Sequence, residues 1–162
     1  MANEQLATYL NDHLAGSVVA LELMEHLESA HAGTPLESFI AELRADVAED
    51  RKELEALMSR LQITVSSTRK VAAWFTEKIT EIKLRLDDPA GGALRLMEAL
   101  DALSVGIEGK RLLWRTLATV AEEADWLRVV DYERLIARAD EQRSRVEEVR
   151  LKAAKAALSA KP

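Results

Sequence analysis

The sequence predicts an all-α protein, an up-down helical bundle of four long core helices with one shorter connecting helix. Three observations carry this. Apolar residues recur at threes and fours along almost every segment, the period of an amphipathic helix. No stretch alternates apolar and polar residues with β-branched enrichment, as a half-buried strand would. Helix-start signals, a capping Asn, Ser, Thr or Asp followed by proline or by glutamate three residues on, punctuate the chain at helix-length intervals.

The first helix is expected over residues 4–30, with Leu10, Leu14, Leu21, Met24 and Leu27 on one stripe and Asn3 as its N-cap. HAGTP breaks it. The second, over 35–62, has the firmest start: Thr34 as cap, Pro35 in the first turn, and Glu37 completing a Thr-x-x-Glu capping box. Its stripe is Leu36, Ile40, Leu43, Val47, Leu54, Leu57 and Leu61. A shorter third helix follows over 67–87, capped by Ser66 or Ser67 and carrying Val71, Trp74, Phe75, Ile79, Ile82 and Leu86. After Asp88-Pro89 a fourth helix runs over 92–119 and a fifth over 125–158. One helix from 92 to 158 would be about 100 Å long, so a break belongs between Leu117 and Trp126, with Thr119 or Asp125 as cap. The fifth helix shows a four-three seam: Tyr132, Leu135, Ala139, Gln142, Val146, Val149, Ala153 and Ala156.

The fourth helix is apolar on two sides, Leu100, Leu103 and Ile107 on one and Val105, Leu112 and Leu113 on the other. It should therefore be sandwiched, by the third helix or by a second subunit in a homodimer. Gly106 and Gly109 on its second side read as sites of close helix approach, in preference to the alternative of a ligand contact.

A chain of 162 residues suits one domain, 1–162, that buries roughly 70% of its unfolded surface. The lack of cysteine removes disulfides, thiolate metal sites and cysteine nucleophiles. The start, MANEQLATYL, has neither a basic n-region nor a long apolar run, so a cytoplasmic location without membrane insertion is expected. The net charge of -6 divides into -8 over residues 1–65, -1 over 66–125 and +3 over 126–162. The basic last helix mixes its arginines with acids and lacks interleaved aromatics, so it reads as packing beside the acidic first helices and not as a nucleic-acid surface. Gly91-Gly92 lacks the strand, lysine and spacing of a phosphate loop, and no serine has a histidine–acid partner pattern.

Two groups of residues bear on chemistry. In LELMEHLESAH, Glu28 and His31 form a Glu-x-x-His pair, the spacing by which one helical face offers a carboxylate and an imidazole to one metal. The pair lies at a helix end, where capping and solvation account for it and a histidine cation would favour the dipole. His26 is expected to face solvent, whereas His13 lies on the buried stripe near Ser17. The second group consists of charges on inward stripes: Asp50 among Val47, Leu54 and Leu57, Arg111 between Ile107 and Trp114 with Glu108 one turn away, and Arg138 and Glu141 beside the last seam. They either reach water by snorkelling or include a buried pair in which Arg111 meets Asp50 or another carboxylate.

NDHLAGSVVAL in the first helix, GIEGKRLLWRTLATVA in the fourth and ADEQRSRVEEVRLKAA in the fifth resemble segments of the ferritin-like superfamily, in particular its small stress-associated bacterial members of the YciF type. The resemblance implies a bundle holding two metals through carboxylates from four core helices, with Glu-x-x-His on two of them. This sequence departs from that pattern. Ser17 stands where the first motif has glutamate, Gly109 where the fourth-helix motif has histidine, and Arg111 where it has its second acid. His13, His26 and His31 all belong to the first helix or its end. The expected reading is a non-enzymatic bundle without an intact di-metal site or cofactor, in a binding or structural role that the resemblance links to stress. One alternative is an iron- or manganese-binding protein using His13, Glu28, Asp50 and Glu108. The other is an adaptor that docks a protein partner through its charged last helix.

Overall fold

The computed structural model describes residues 4–66, 77, 80–81 and 92–159, and four α-helices lie among them. They are α1 (Glu4–Ala30), α2 (Pro35–Arg60), α3 (Gly92–Ala121) and α4 (Tyr132–Leu158), with a short 3-10 turn at Asp125–Leu127. The all-helical expectation holds for these residues. The third helix expected over 67–87 lies outside the described residues, except that Glu77, Thr80 and Glu81 are helical and exposed. The Asn3 cap and Asp88-Pro89 also lie outside them. No described helix is long and apolar enough to cross a membrane.

α1 has the expected bounds. Gly33, at φ +79°, turns the chain after it in the left-handed region that glycine enters without a Cβ penalty. Thr34 and Pro35 start α2, but the expected capping box does not form, because the Thr34 side chain caps no N–H of the helix. The Thr34 hydroxyl donates back to the His31 carbonyl (2.7 Å), and Glu37 accepts from the Gly33 N–H (2.6 Å), not from that of Thr34.

α2 ends without glycine. Gln62 takes φ +55°, and the Ile63 and Gln62 N–H groups reach back to Met58 (2.9 Å) and Ser59 (3.1 Å), the paired bonds that close a helix C-terminus. The next residues are clamped to α1 by the buried Asn11. Its amide donates to Thr64 O (3.2 Å) and its carbonyl accepts from Ser66 N (2.7 Å).

The break after α3 falls inside the expected window, yet α4 begins seven residues later than expected. Asp125 opens the 3-10 turn, and Asp131 caps α4 by accepting from Arg134 N at 3.0 Å. Arg128 folds back onto the Ala121 (2.7 Å) and Glu122 (2.6 Å) carbonyls, and Tyr132 donates to Leu127 O (2.9 Å). These bonds satisfy the carbonyls that the end of α3 leaves free, and a cation there suits the helix dipole.

The core has two layers. Near one end Leu10 and Leu14 meet Leu54, Leu57, Leu113, Trp114, Leu117, Tyr132 and Leu135. Near the other Leu23, Met24 and Leu27 meet Ile40, Leu43, Ala99, Leu100, Leu103, Ala139 and Val146. This order makes α1 and α4 run one way and α2 and α3 the other. α1 packs on α2, α3 packs most extensively on α4, and α1 meets α3 less closely. α2 and α4 are joined by charged side chains: Glu53 with Arg134 (2.7 Å), Asp50 with Arg138 (3.2 Å), and Asp46 with Arg145. The acidic start and basic end of the chain are thus complementary faces. The second apolar side of α3 is only partly covered, with Val105 74% and Leu112 49% exposed.

Candidate functional site

The helical period that builds the core also carries polar side chains into it. Asp50 follows Val47 by three residues on the α2 stripe and is 2% exposed. Lys110 sits on α3 midway between Ile107 and Leu113, and Gln142 occupies the α4 seam between Ala139 and Val146, also 2% exposed. The three side chains meet. Asp50 Oδ2 accepts from Lys110 Nζ at 2.5 Å and from Gln142 Nε2 at 2.8 Å, and Gln142 Oε1 accepts from the same ammonium. Arg138 Nη2 lies 3.2 Å from Asp50 Oδ1 while donating to the Asp46 carbonyl at 3.3 Å.

One carboxylate therefore faces two cations, and an amide completes a three-sided network. Burial pulls Lys110 below the ordinary lysine value, Asp50 pulls it back up, and Arg138 adds a smaller downward push. Desolvation of such a pair offsets much of its Coulomb attraction, so its net contribution to stability is smaller than its contacts alone suggest.

The charged residues singled out from the sequence separate. Asp50 is buried and paired, but with Lys110 and not with Arg111. Lysine 110 and arginine 111 lie about 100° apart around α3, so only the first points to the bundle interior. Arg111 pairs with Asp140 (2.6 Å) and lies 3.6 Å from Glu108, which Arg143 also holds at 2.9 Å. Glu28 is paired with Arg44 at 2.9 Å near the far end of α1. His13 stands edge-on to Tyr9, ring centroids 4.7 Å apart. His26 is half-buried instead of facing solvent. Lys110 and Gln142 were not among the sequence candidates, although both sit in register with apolar stripes.

His13 and Glu28 are fifteen residues apart on one helix, about 22 Å at its rise, and cannot share a metal. Among the described residues no group of three or more His, Asp or Glu is placed to hold a metal ion. Among the described residues, His13, Glu28, Asp50 and Glu108 are therefore not brought together as one donor set.

A cavity of about 730 Å³ opens between α1, α2 and α3. Its walls are mostly apolar (Leu23, Leu54, Leu103, Ile107, Leu113), with Asp50, Lys110 and Trp114 among them and His13 and Asp12 on the α1 side. Burial pulls His13 below the ordinary 6.5, partly opposed by Asp12. Above 6.5 the ring is neutral folded or unfolded. As pH falls through 6.5 the unfolded chain takes up the proton more readily, so stability falls. Unfolding titrations across that range should show this decline, and His13→Gln should reduce it, leaving the share of His31, which burial also pulls below 6.5. An unchanged slope in the variant would remove His13 from the pH response.

No family model, curated protein or solved structure matches this chain.

Proposed function

We propose that this chain is a non-enzymatic, metal-free bundle of the ferritin-like kind, serving a binding or structural role. The observation that carries the reading is the Lys110 ammonium between Asp50 on α2 and Gln142 on α4, a built-in cation where helices converge. A fixed ammonium neutralises a buried carboxylate without any cofactor. The chain direction supports the same reading: α2 and α3 run parallel and are joined by one long connection between Arg60 and Gly92, as in ferritin-like bundles. The adaptor alternative has less support, because Arg134, Arg138, Arg143, Arg145 and Arg150 of α4 all pair within the chain.

Elemental analysis of protein purified from iron- and manganese-supplemented cells tests this. Metal well below one ion per chain is expected. Stoichiometric metal that disappears in Asp50→Asn would establish the iron or manganese alternative.

The exposed side of α3 at Val105 and Leu112 belongs to the same reading as the face of a homodimer. Sedimentation should find a dimer that Val105→Lys with Leu112→Lys converts to monomer. A monomeric wild-type chain at high concentration would remove the homodimer.

A further inference from the structure

We propose that the cavity between α1, α2 and α3 binds an elongated apolar molecule ending in a carboxylate, such as a fatty acid, with Lys110 and Trp114 receiving the head group. The proposal goes beyond the metal-free reading.

Three features of the wall carry it. The first is size. The volume of about 730 Å³ lies within the range of small-molecule sites. The lining runs along α1 from Tyr9 to Met24 and along α3 from Asp101 to Trp114, a slot roughly 20 Å long at the helical rise.

The second is a set of three glycines inside helices, Gly16 on α1 and Gly106 and Gly109 on α3, all in this wall. Each costs about 1 kcal/mol relative to alanine. Close helix approach, the role expected for the α3 pair, finds no partner among the described residues. A Cβ built at any of the three meets nothing within 4 Å among the described residues. Their effect is to widen the cavity.

The third is a pair of donors with hydrogens unused among the described residues. Lys110 Nζ carries three hydrogens, and Asp50 and Gln142 accept two. Trp114 is 1% exposed, and its indole N–H has no acceptor among the described residues. Residues 110 and 114 are one turn apart and share a helix face, so their free hydrogens can serve the two oxygens of one carboxylate. Asp50 is matched by two cations, Lys110 in the wall and the partly exposed Arg138 outside it, while Asp12 and Asp101 are the wall's other acids. Lys110 and Trp114 are both donors, which an anionic head can meet and an ammonium head cannot. At the rim Asp101 is held by Arg150 and Arg51 by Glu55.

The experiment titrates dodecanoate, dodecanol and dodecylamine into the metal-free full chain, followed by calorimetry and by Trp114 fluorescence in a Trp74→Phe, Trp126→Phe background. Saturable binding of one dodecanoate is expected, with dodecylamine at least about tenfold weaker, the discrimination of one charge-assisted hydrogen bond. Lys110→Met should weaken dodecanoate by a similar factor and leave dodecanol unchanged. Trp114→Phe, which keeps the buried charges, should weaken dodecanoate several-fold and serves if Lys110→Met does not fold. Gly106→Leu should abolish binding of both chains while keeping or raising the melting temperature, because it fills open space. Absence of saturable dodecanoate binding overturns the proposal, as does equal affinity for the amine. A Gly106→Leu variant of lowered stability overturns it too, since the space would then be filled by the protein itself.

Discussion

Asp50→Ala should destabilise the fold by about 3–5 kcal/mol, the range found when one partner of a buried ion pair is removed. The carboxylate is 2% exposed and is the acceptor shared by Lys110 and Gln142, with Arg138 3.2 Å away. Removing it leaves an ammonium in the bundle interior without its counterion, and Gln142 without an acceptor for its amide. Both costs are those of desolvated groups left unmatched. Asp50→Leu combined with Lys110→Met removes charge from both sides, and most of the loss should return, as it does when buried ion pairs elsewhere are replaced by apolar residues of similar volume. Urea unfolding with an unchanged m-value gives the measurement. A loss below about 1 kcal/mol for Asp50→Ala would place the pair in the screened regime of surface salt bridges and remove the cluster from the core.

Trp114→Ala should cost about 3–5 kcal/mol, the usual range for truncating a buried aromatic side chain. The indole is 1% exposed in the layer with Leu10, Leu57, Leu117 and Leu135, and it lies 6.5 Å from the Tyr132 ring, tilted by 38°. Three helices converge on it, so α1, α2 and α4 would each lose contacts that the backbone cannot close up to restore. Trp114→Phe should cost clearly less. It keeps an aromatic body, and the lost indole N–H strands no acceptor among the described residues. A loss in Trp114→Ala near that of Trp114→Phe would mean that this end of the bundle collapses around the gap.

How far the sequence reached depended on the range of the interaction. α1 and the start of α2 were readable because proline and apolar period act within a turn or two of chain, although Thr34 caps no N–H. The end of α2 was not, because Gln62 enters a left-handed conformation without the glycine that normally marks it. The start of α4 was misplaced because Thr119, Asp125 and Asp131 all carry capping side chains. What selects Asp131 is the folding back of Arg128 onto α3, together with the Tyr132 hydroxyl on Leu127.

The same division runs through the candidate site. Periodicity alone placed Asp50 among apolar neighbours, so its burial was legible. Its partner was not. The choice between Lys110 and Arg111 turns on the rotation of α3 about its own axis, which depends on packing against α1, α2 and α4 together. By itself the sequence determined the four described helices, apart from the end of α2 and the start of α4, with their apolar faces and the complementary charges of the early and last ones, because those properties belong to residues a few positions apart. Only the tertiary structure decided that Asp50 meets Lys110 and Gln142, and that three helical glycines meet nothing within 4 Å among the described residues. Those facts are distances between side chains brought together across the bundle, and no local preference encodes them.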